Sequence, residues 1–323
     1  MAEIFPSAEE FIPVIQADPG TKLASLVDDE IISLYKTAGA LLFRGFGPYL
    51  RDFQQFTQRF CATAVKNDSL NRAILDPEND IQSVDRGNGA LPLHPELSRE
   101  PWKPDVCFFF CISAPRKGGQ TTICDGIKVV ERLDPELRDA MIGRRIVYLQ
   151  NAPPSALEFW FGKPDLSDEE LNHPPSDCPY TFQRFGDRVG RLFDRPFLHK
   201  PMFCDQLAFG NFLLFAREGG ETRFPLLDDL SLIPDEWFRA IKRESQALTI
   251  KVEWQDGDLL MLDNSRFMHG RTRVESERER QIATIFGYLR FAEPNPEEPK
   301  DPVWRRGEFN PPAAVGNSNR QRD

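Results

Sequence analysis

The sequence predicts a mainly β protein with flanking helices, a sandwich or a barrel, and three observations carry that reading. The last third holds the runs A-L-T-I-K-V-E-W, D-L-L-M-L and Q-I-A-T-I-F-G-Y-L-R-F, separated by the turn Q-D-G-D and by charged links. Strand-forming residues bounded by Gly, Asp and Asn are the signature of strands joined by tight turns. The run V-C-F-F-F-C-I, closed by S-A-P-R-K-G-G, repeats that texture near residue 110. Helical spacing is confined to short stretches, chiefly near the N-terminus.

Taken in order, A-S-L-V-D-D-E-I-I-S-L-Y-K-T-A places Leu26, Ile31, Leu34 and Ala38 near helical spacing, with Gly39 as a stop. A-L-L-F-R-G-F is a short apolar run ended by glycine and is expected to be a buried strand. D-F-Q-Q-F-T-Q-R-F returns to helical spacing through Phe53, Phe56 and Phe60. V-V-E-R-L-D-P-E-L-R-D-A-M is helical, with its proline where a helix N-terminus tolerates one. Residues 151 to 180 are rich in proline and poor in regular pattern, so the region around 151–200 is expected to be a lid-like insertion. The three runs of the last third predict an antiparallel meander. From Glu293 the tail E-P-N-P-E-E-P-K-D-P is charged and proline-rich, which predicts a loosely ordered extension over 293–323 after one domain spanning 1–292.

A hydrophobic fraction of 40% with 26 Phe and 5 Trp supplies a large core. The formal charge of -10 argues against nucleic acid or an anionic membrane as partner and favours a small molecule. No apolar run approaches the ~20 residues of a membrane span, and the first residues lack the pattern of a signal peptide. The expectation is a soluble, cytoplasmic protein. Six cysteines without a C-x-x-C pair indicate neither a disulfide scaffold nor a zinc ribbon; Cys107, Cys111 and Cys124 read as buried thiols.

Only four histidines are present. In L-P-L-H-P-E-L-S, side chains at i and i+2 of a strand would point His94 and Glu96 the same way, about 6.6 Å apart at Cα. Non-haem iron(II) oxygenases bind their metal with two histidines and one carboxylate. His173, in N-H-P-P-S, and His199, in F-L-H-K-P, lie in irregular surroundings. His269 follows the best-defined pair of strands, with Gly270 allowing close approach. Arg280 lies just before Q-I-A-T-I-F and could hold a carboxylate in its planar fork, with Thr121 of K-G-G-Q-T-T adding a hydroxyl. Arg278 lies two residues earlier and shares its strand face. The stretch containing Arg184, Arg188, Arg191, Arg195 and Lys200 is read as a solvated face with ion pairs rather than a substrate entrance.

These motifs, from L-L-F-R-G-F through L-H-P-E-L, P-R-K-G-G-Q-T and W-Q-D-G-D-L-L-M-L-D-N-S-R-F-M-H-G-R-T to R-Q-I-A-T-I-F, resemble the iron(II)- and 2-oxoglutarate-dependent oxygenases of the taurine dioxygenase and clavaminate synthase-like group. The resemblance implies a double-stranded β-helix, or jelly roll. It further implies that His94, Glu96 and His269 bind Fe(II), and that Thr121 and Arg280 bind 2-oxoglutarate, with O2 as the second cosubstrate. The implied reaction is hydroxylation of an unactivated C–H bond, releasing succinate and CO2. Glu96 stands where the taurine dioxygenase pattern has Asp, which points away from taurine, and a filled carboxylate position argues against halogenation. A free amino acid, a carrier-tethered aminoacyl group and a natural-product intermediate are all compatible substrates. The alternatives are a zinc-dependent hydrolase, for which no H-E-x-x-H helix is present, and a metal-binding barrel without turnover.

Overall fold

The computed structural model describes residues 11–47, 49–276 and 279–311. Eight strands make its centre: β1 (Ala40–Arg44), β2 (Leu91–His94), β3 (Val106–Ser113), β4 (Thr121–Asp125), β5 (Ile250–Val252), β6 (Leu259–Asp263), β7 (Phe267–Arg271) and β8 (Gln281–Leu289). The larger sheet contains the antiparallel run β1-β6-β3-β8, widened by short edge strands, and the smaller sheet is β5-β4-β7-β2. Consecutive strands of the last third therefore alternate between two sheets.

That alternation corrects the expected meander. β6 and β7 are joined by a tight turn but do not pair with each other; β6 lies between β1 and β3, and β7 between β4 and β2. The strands are buried on both faces, as in L-L-M-L of β6, so each has a neighbour to satisfy in its own sheet and a facing sheet to pack against. The layer between the sheets holds Leu42, Phe109, Ile123, Val252, Leu260 and Phe286. The outer face of the larger sheet packs Phe108, Phe110 and Met261 against the helices Asp28–Ala38 and Leu50–Phe60 through Ile31, Tyr35, Phe53 and Phe56. Tyr35, not the half-exposed Leu34, supplies the first helix's central contact. The smaller sheet's outer face carries the helix Asp235–Leu248, whose Trp237 and Ile241 pack with Cys124 and Met268. That helix takes the start of A-L-T-I-K-V-E-W, leaving a strand of only three residues.

V-V-E-R-L-D-P-E-L-R-D-A-M forms two helices, Gly126–Arg132 and Pro135–Met141. Asp134 caps the second through the Glu136 N–H, and the proline at its first turn fixes the break. The insertion is more regular than its composition predicts. It contains the helices Pro154–Phe161 and Asp168–Leu171 and the hairpin Thr181–Phe185 with Arg188–Pro196, which joins a third sheet through Arg145–Asn151. Aromatic packing of Trp102, Trp160, Tyr180 and Phe182 fixes it to the body. The basic stretch is not simply a solvated face, because Arg191 turns inward, stacks on Tyr180 and bonds Gln150 and Glu100. Within the tail, Trp304 is buried and Arg305 grips Asp105 with two hydrogen bonds, so residues up to 311 are tied down; residues 312–323 lie outside the described residues. Cys107, Cys111 and Cys124 are buried and unpaired, as expected. Among the described residues no helix is long and apolar enough to cross a membrane.

Candidate active site

β7 pairs His269 with His94 of β2 on one side and with Ile123 of β4 on the other, and Arg271 with Thr121. Directly opposed residues of antiparallel strands share a face. His94, His269 and Thr121 therefore line the inner surface of the smaller sheet. Phe109 from the facing sheet packs on His269 at 5.1 Å between ring centroids, and Phe215 covers His94 at 4.7 Å. Gly270 is required between these neighbours, since a Cβ there would stand 2.5 Å from the Leu91 carbonyl oxygen.

Glu96 does not share a strand with His94, because β2 ends at His94 and the chain turns. Pro92 within β2 is tolerated because β2 is an edge strand. Leu97, at φ 49°, holds the turn in a left-handed conformation rare for leucine. Asn264, fully buried in the turn between β6 and β7, fixes it from below. Its Oδ1 accepts the Glu96 N–H at 2.7 Å, and its Nδ2 donates to the carbonyls of Glu96 and Pro104 at 3.1 and 2.8 Å.

The turn brings one donor atom from each of His94, Glu96 and His269 within 4.8 Å of one another. His269 Nε2 lies 3.6 Å from Glu96 Oε2. His94 Nδ1 lies 2.8 Å from the Pro92 carbonyl, so that nitrogen carries the proton and Nε2 keeps a free lone pair. Burial, reinforced by His269, pushes the His94 imidazole down to about 4, which keeps it neutral and able to ligate at physiological pH. Burial alone would raise Glu96, but the Arg72 guanidinium and the two histidines outweigh it and hold the carboxylate well below its ordinary range. Arg72 donates to Glu96 Oε2 at 3.0 Å, and the Asn67 amide donates to Oε1.

Arg280 is buried at the start of β8, where Nη2 reaches Thr121 Oγ1 at 3.4 Å and Nε donates to the Gly119 carbonyl. No carboxylate pairs with it among the described residues. Burial first, and Arg271 second, push the guanidinium down to about 9, the direction of an uncompensated buried charge. Thr121 Oγ1 also accepts from Trp254 Nε1 at 3.1 Å. Both lone pairs of that hydroxyl face donors, so its proton is free to be donated. Gly119, at φ +68°, admits Arg280, since a Cβ there would stand 2.8 Å from Arg280 Cδ. Arg280 and Arg271 also line a cavity of about 320 Å³ with Asp85, Ile112 and Ile282. Arg278 lies outside the described residues.

Residues 4–285 match the taurine catabolism dioxygenase TauD, TfdA family. The chain belongs to that family. Within it, the chain is 26% identical over 300 residues to the dapdiamide synthesis protein DdaC of Enterobacter agglomerans, covering 83% of this chain and 87% of that one. It is 23% identical over 251 residues to 3-((Z)-2-isocyanoethenyl)-1H-indole synthase of Fischerella ambigua (strain UTEX 1903), covering 76% and 80% of the two chains. Among solved structures it resembles PvcB of Pseudomonas aeruginosa, with a TM-score of 0.59 at 15% identity over 88% of this chain and 89% of that one. A taurine dioxygenase from Burkholderia xenovorans gives a TM-score of 0.57 at 14% identity over 89% of each.

As a TauD, TfdA family member the protein is an Fe(II)- and 2-oxoglutarate-dependent dioxygenase, with O2 as cosubstrate. The residues present fit those groups. Two imidazoles and an ionised carboxylate converge as a facial set suits iron, and a buried guanidinium without a carboxylate stands beside a free hydroxyl donor. The hydrolase and non-catalytic alternatives have no such use for Arg280. Arg72, Asn67 and Asn264 are supports that sequence reasoning missed. Asn264 sits in D-N-S between two strands, a visible turn signal; Asn67 and Arg72 lie where no periodicity marks them. His173 is exposed and bonds the Glu169 carbonyl, and His199 bonds the Ser265 carbonyl, so neither joins the set.

Proposed function

We propose that this dioxygenase hydroxylates an unactivated C–H bond of a small molecule: an amino acid, a carrier-bound aminoacyl group or a natural-product intermediate. His94, Glu96 and His269 hold Fe(II), and Thr121 with Arg280 holds the distal carboxylate of 2-oxoglutarate. The observation that carries the reading is the pairing of a converged His-Glu-His set with a buried arginine, unpaired with any carboxylate among the described residues, that reaches Thr121 on the same inner face. Thr121 and the β4 residue opposite His269 are two residues apart, about 6.6 Å along the strand. A short diacid with one end on the metal and the other on Arg280 suits that span.

Bound Fe(II) supplies the redox chemistry that couples oxidative decarboxylation of 2-oxoglutarate, to succinate and CO2, with removal of hydrogen from the substrate. The chain's own contribution is positional. Arg280 and Thr121 donate to the distal carboxylate and fix the direction of the cosubstrate. Arg72 and Asn67 keep Glu96 ionised and aimed, while Phe109 and Phe215 exclude water from the two imidazoles. The alternating order of β1 to β8 supports a double-stranded β-helix as the frame. Three observations support a biosynthetic substrate over taurine: Glu96 in place of Asp, the dapdiamide synthesis relative, and the isonitrile-pathway origin of PvcB.

Anaerobic addition of Fe(II) and 2-oxoglutarate is expected to give a weak visible charge-transfer band, and admission of O2 to give succinate. Arg280→Gln is expected to raise the KM for 2-oxoglutarate about a hundredfold, by leaving one buried charge of the pair unmatched, with Fe(II) affinity unchanged. A band and succinate yield indifferent to Arg280 would refute the cosubstrate assignment. Screening amino acids, aminoacylated carrier protein and their derivatives for added succinate identifies the substrate class.

A further inference from the structure

A cavity of about 600 Å³ lies outside the metal set. It opens at the end of the sandwich where residues 103–105 meet the Ser265 turn, and none of His94, Glu96 and His269 lines it. Leu198, Met202, Phe203 and Leu207 give it an apolar wall, and Lys200, Asp205 and Glu297 stand at its exposed rim. The volume falls in the range of small-molecule sites.

The charges on its wall do not balance locally. Each carboxylate is engaged: Asp105 and Glu298 by Arg305, Asp205 by Lys200, Glu293 by Lys36, and Glu297 by Arg145. Two cations are left. Lys103, 9% exposed, makes no hydrogen bond or ion pair among the described residues. Among the described residues Arg195 donates through Nη2 to the carbonyls of Glu100 and Pro101 and lies over the Phe193 ring, and its buried Nε has no hydrogen-bond partner. Asp263, the buried carboxylate behind the wall, hydrogen-bonds the Ser265 hydroxyl and N–H and, with Asp105, favours the Lys103 charge without outweighing its burial. Burial and then Arg195 push the Lys103 ammonium down to about 7, so the two cations act on each other as well as on the cavity. A buried charge that its neighbours only partly offset is costly, and an anion in the cavity would reduce that cost.

We propose that this cavity is a second ligand site that takes an organic anion, a carboxylate or phosphate monoester with an apolar body, its acidic group held between Lys103 and Arg195. The apolar wall receives the body of the ligand and the rim stays in solvent. The site is separate from the cosubstrate's, which rests on Arg280.

Calorimetric titration of the Fe(II)-loaded protein under nitrogen tests this, with phenyl phosphate as probe and benzoate in a parallel arm to tell a phosphate site from a carboxylate site. Binding of either probe is expected to be unchanged by Arg280→Ala, weakened about tenfold or more by Lys103→Met, and recovered in Lys103→Arg. Lys103→Met exchanges a buried charge for an apolar chain of similar length, so its melting temperature should not fall. If it does fall, Lys103→Gln takes its place in the titration. No binding of either probe to the parent protein at about 10 mM overturns the proposal. So does parental affinity in the Met or Gln variant, or loss on Arg280→Ala alone.

Discussion

Arg72 is the residue whose role depends most on its neighbours. Its guanidinium is buried, packs over Phe286 at 5.1 Å, and donates to Glu96 Oε2, the oxygen that His269 Nε2 approaches at 3.6 Å. Supports of this kind set the ionisation and aim of a ligand, and their loss commonly costs about 10- to 100-fold in metal affinity. Arg72→Met is accordingly expected to weaken Fe(II) binding by that factor at neutral pH, measured by competition with a chelator, while leaving the fold intact by circular dichroism. Unchanged affinity would show that Asn67 and Asn264 suffice. At this scale the sequence singled out side chains that the fold brings together, because His-x-Glu, a distant His-Gly and an arginine before a strand are unusual in combination. It did not reveal Arg72, whose partner is 24 residues away across an irregular segment. The i, i+2 argument for His94 and Glu96 brought the right pair together for the wrong reason, since a turn held by Asn264 does the work assigned to a strand.

Elements were legible where one face or both faces were apolar. Phe53, Phe56 and Phe60 marked a helix, and L-L-M-L and V-C-F-F-F-C-I marked strands buried on both sides. Their partners were not legible, because a strand buried on both faces carries no alternation to say which sheet it joins, and the meander was the default that short turns imply. The connection that fixes the observed pairing is polar. Asp258, in the turn before β6, accepts Arg44 of β1 through two nitrogens and also the Gln255 N–H, with its side chain almost fully buried. Removing one partner of a buried pair strands the other charge. Asp258→Ala is expected to lower unfolding stability by about 3–5 kcal/mol in urea denaturation. A loss below about 1 kcal/mol, the scale of an exposed pair, would contradict the pairing.

Across the whole molecule, the mainly β character could be read from texture and the family from the motifs, whereas the regularity of 151–200 and the anchoring of the tail could not. Both rest on tertiary packing of aromatics and on Arg305 with Asp105 rather than on local pattern. Stability of the metal-free protein should depend on pH in a defined direction. Burial holds His94 and His199 down to about 4 and about 3, against an ordinary 6.5. As pH falls from 6.5 toward 4, the unfolded chain binds two protons that the folded chain resists, so stability is lost. Asp263, pushed up to about 6 by burial, opposes this, because the folded chain protonates it before the unfolded chain does. Two groups against one leave a net loss, and the urea midpoint should be lower at pH 4.5 than at pH 7 in chelator-treated protein. A midpoint that rises on acidification would show that these imidazoles are not buried neutral.

The proposed chemistry requires one iron held by His94, Glu96 and His269. Anomalous diffraction above and below the iron edge, from crystals grown anaerobically with Fe(II), addresses it directly. A single strong peak is expected at bonding distance from His94 Nε2, a Glu96 carboxylate oxygen and a His269 ring nitrogen. A peak elsewhere, or one bonded to fewer than these three side chains, would contradict it.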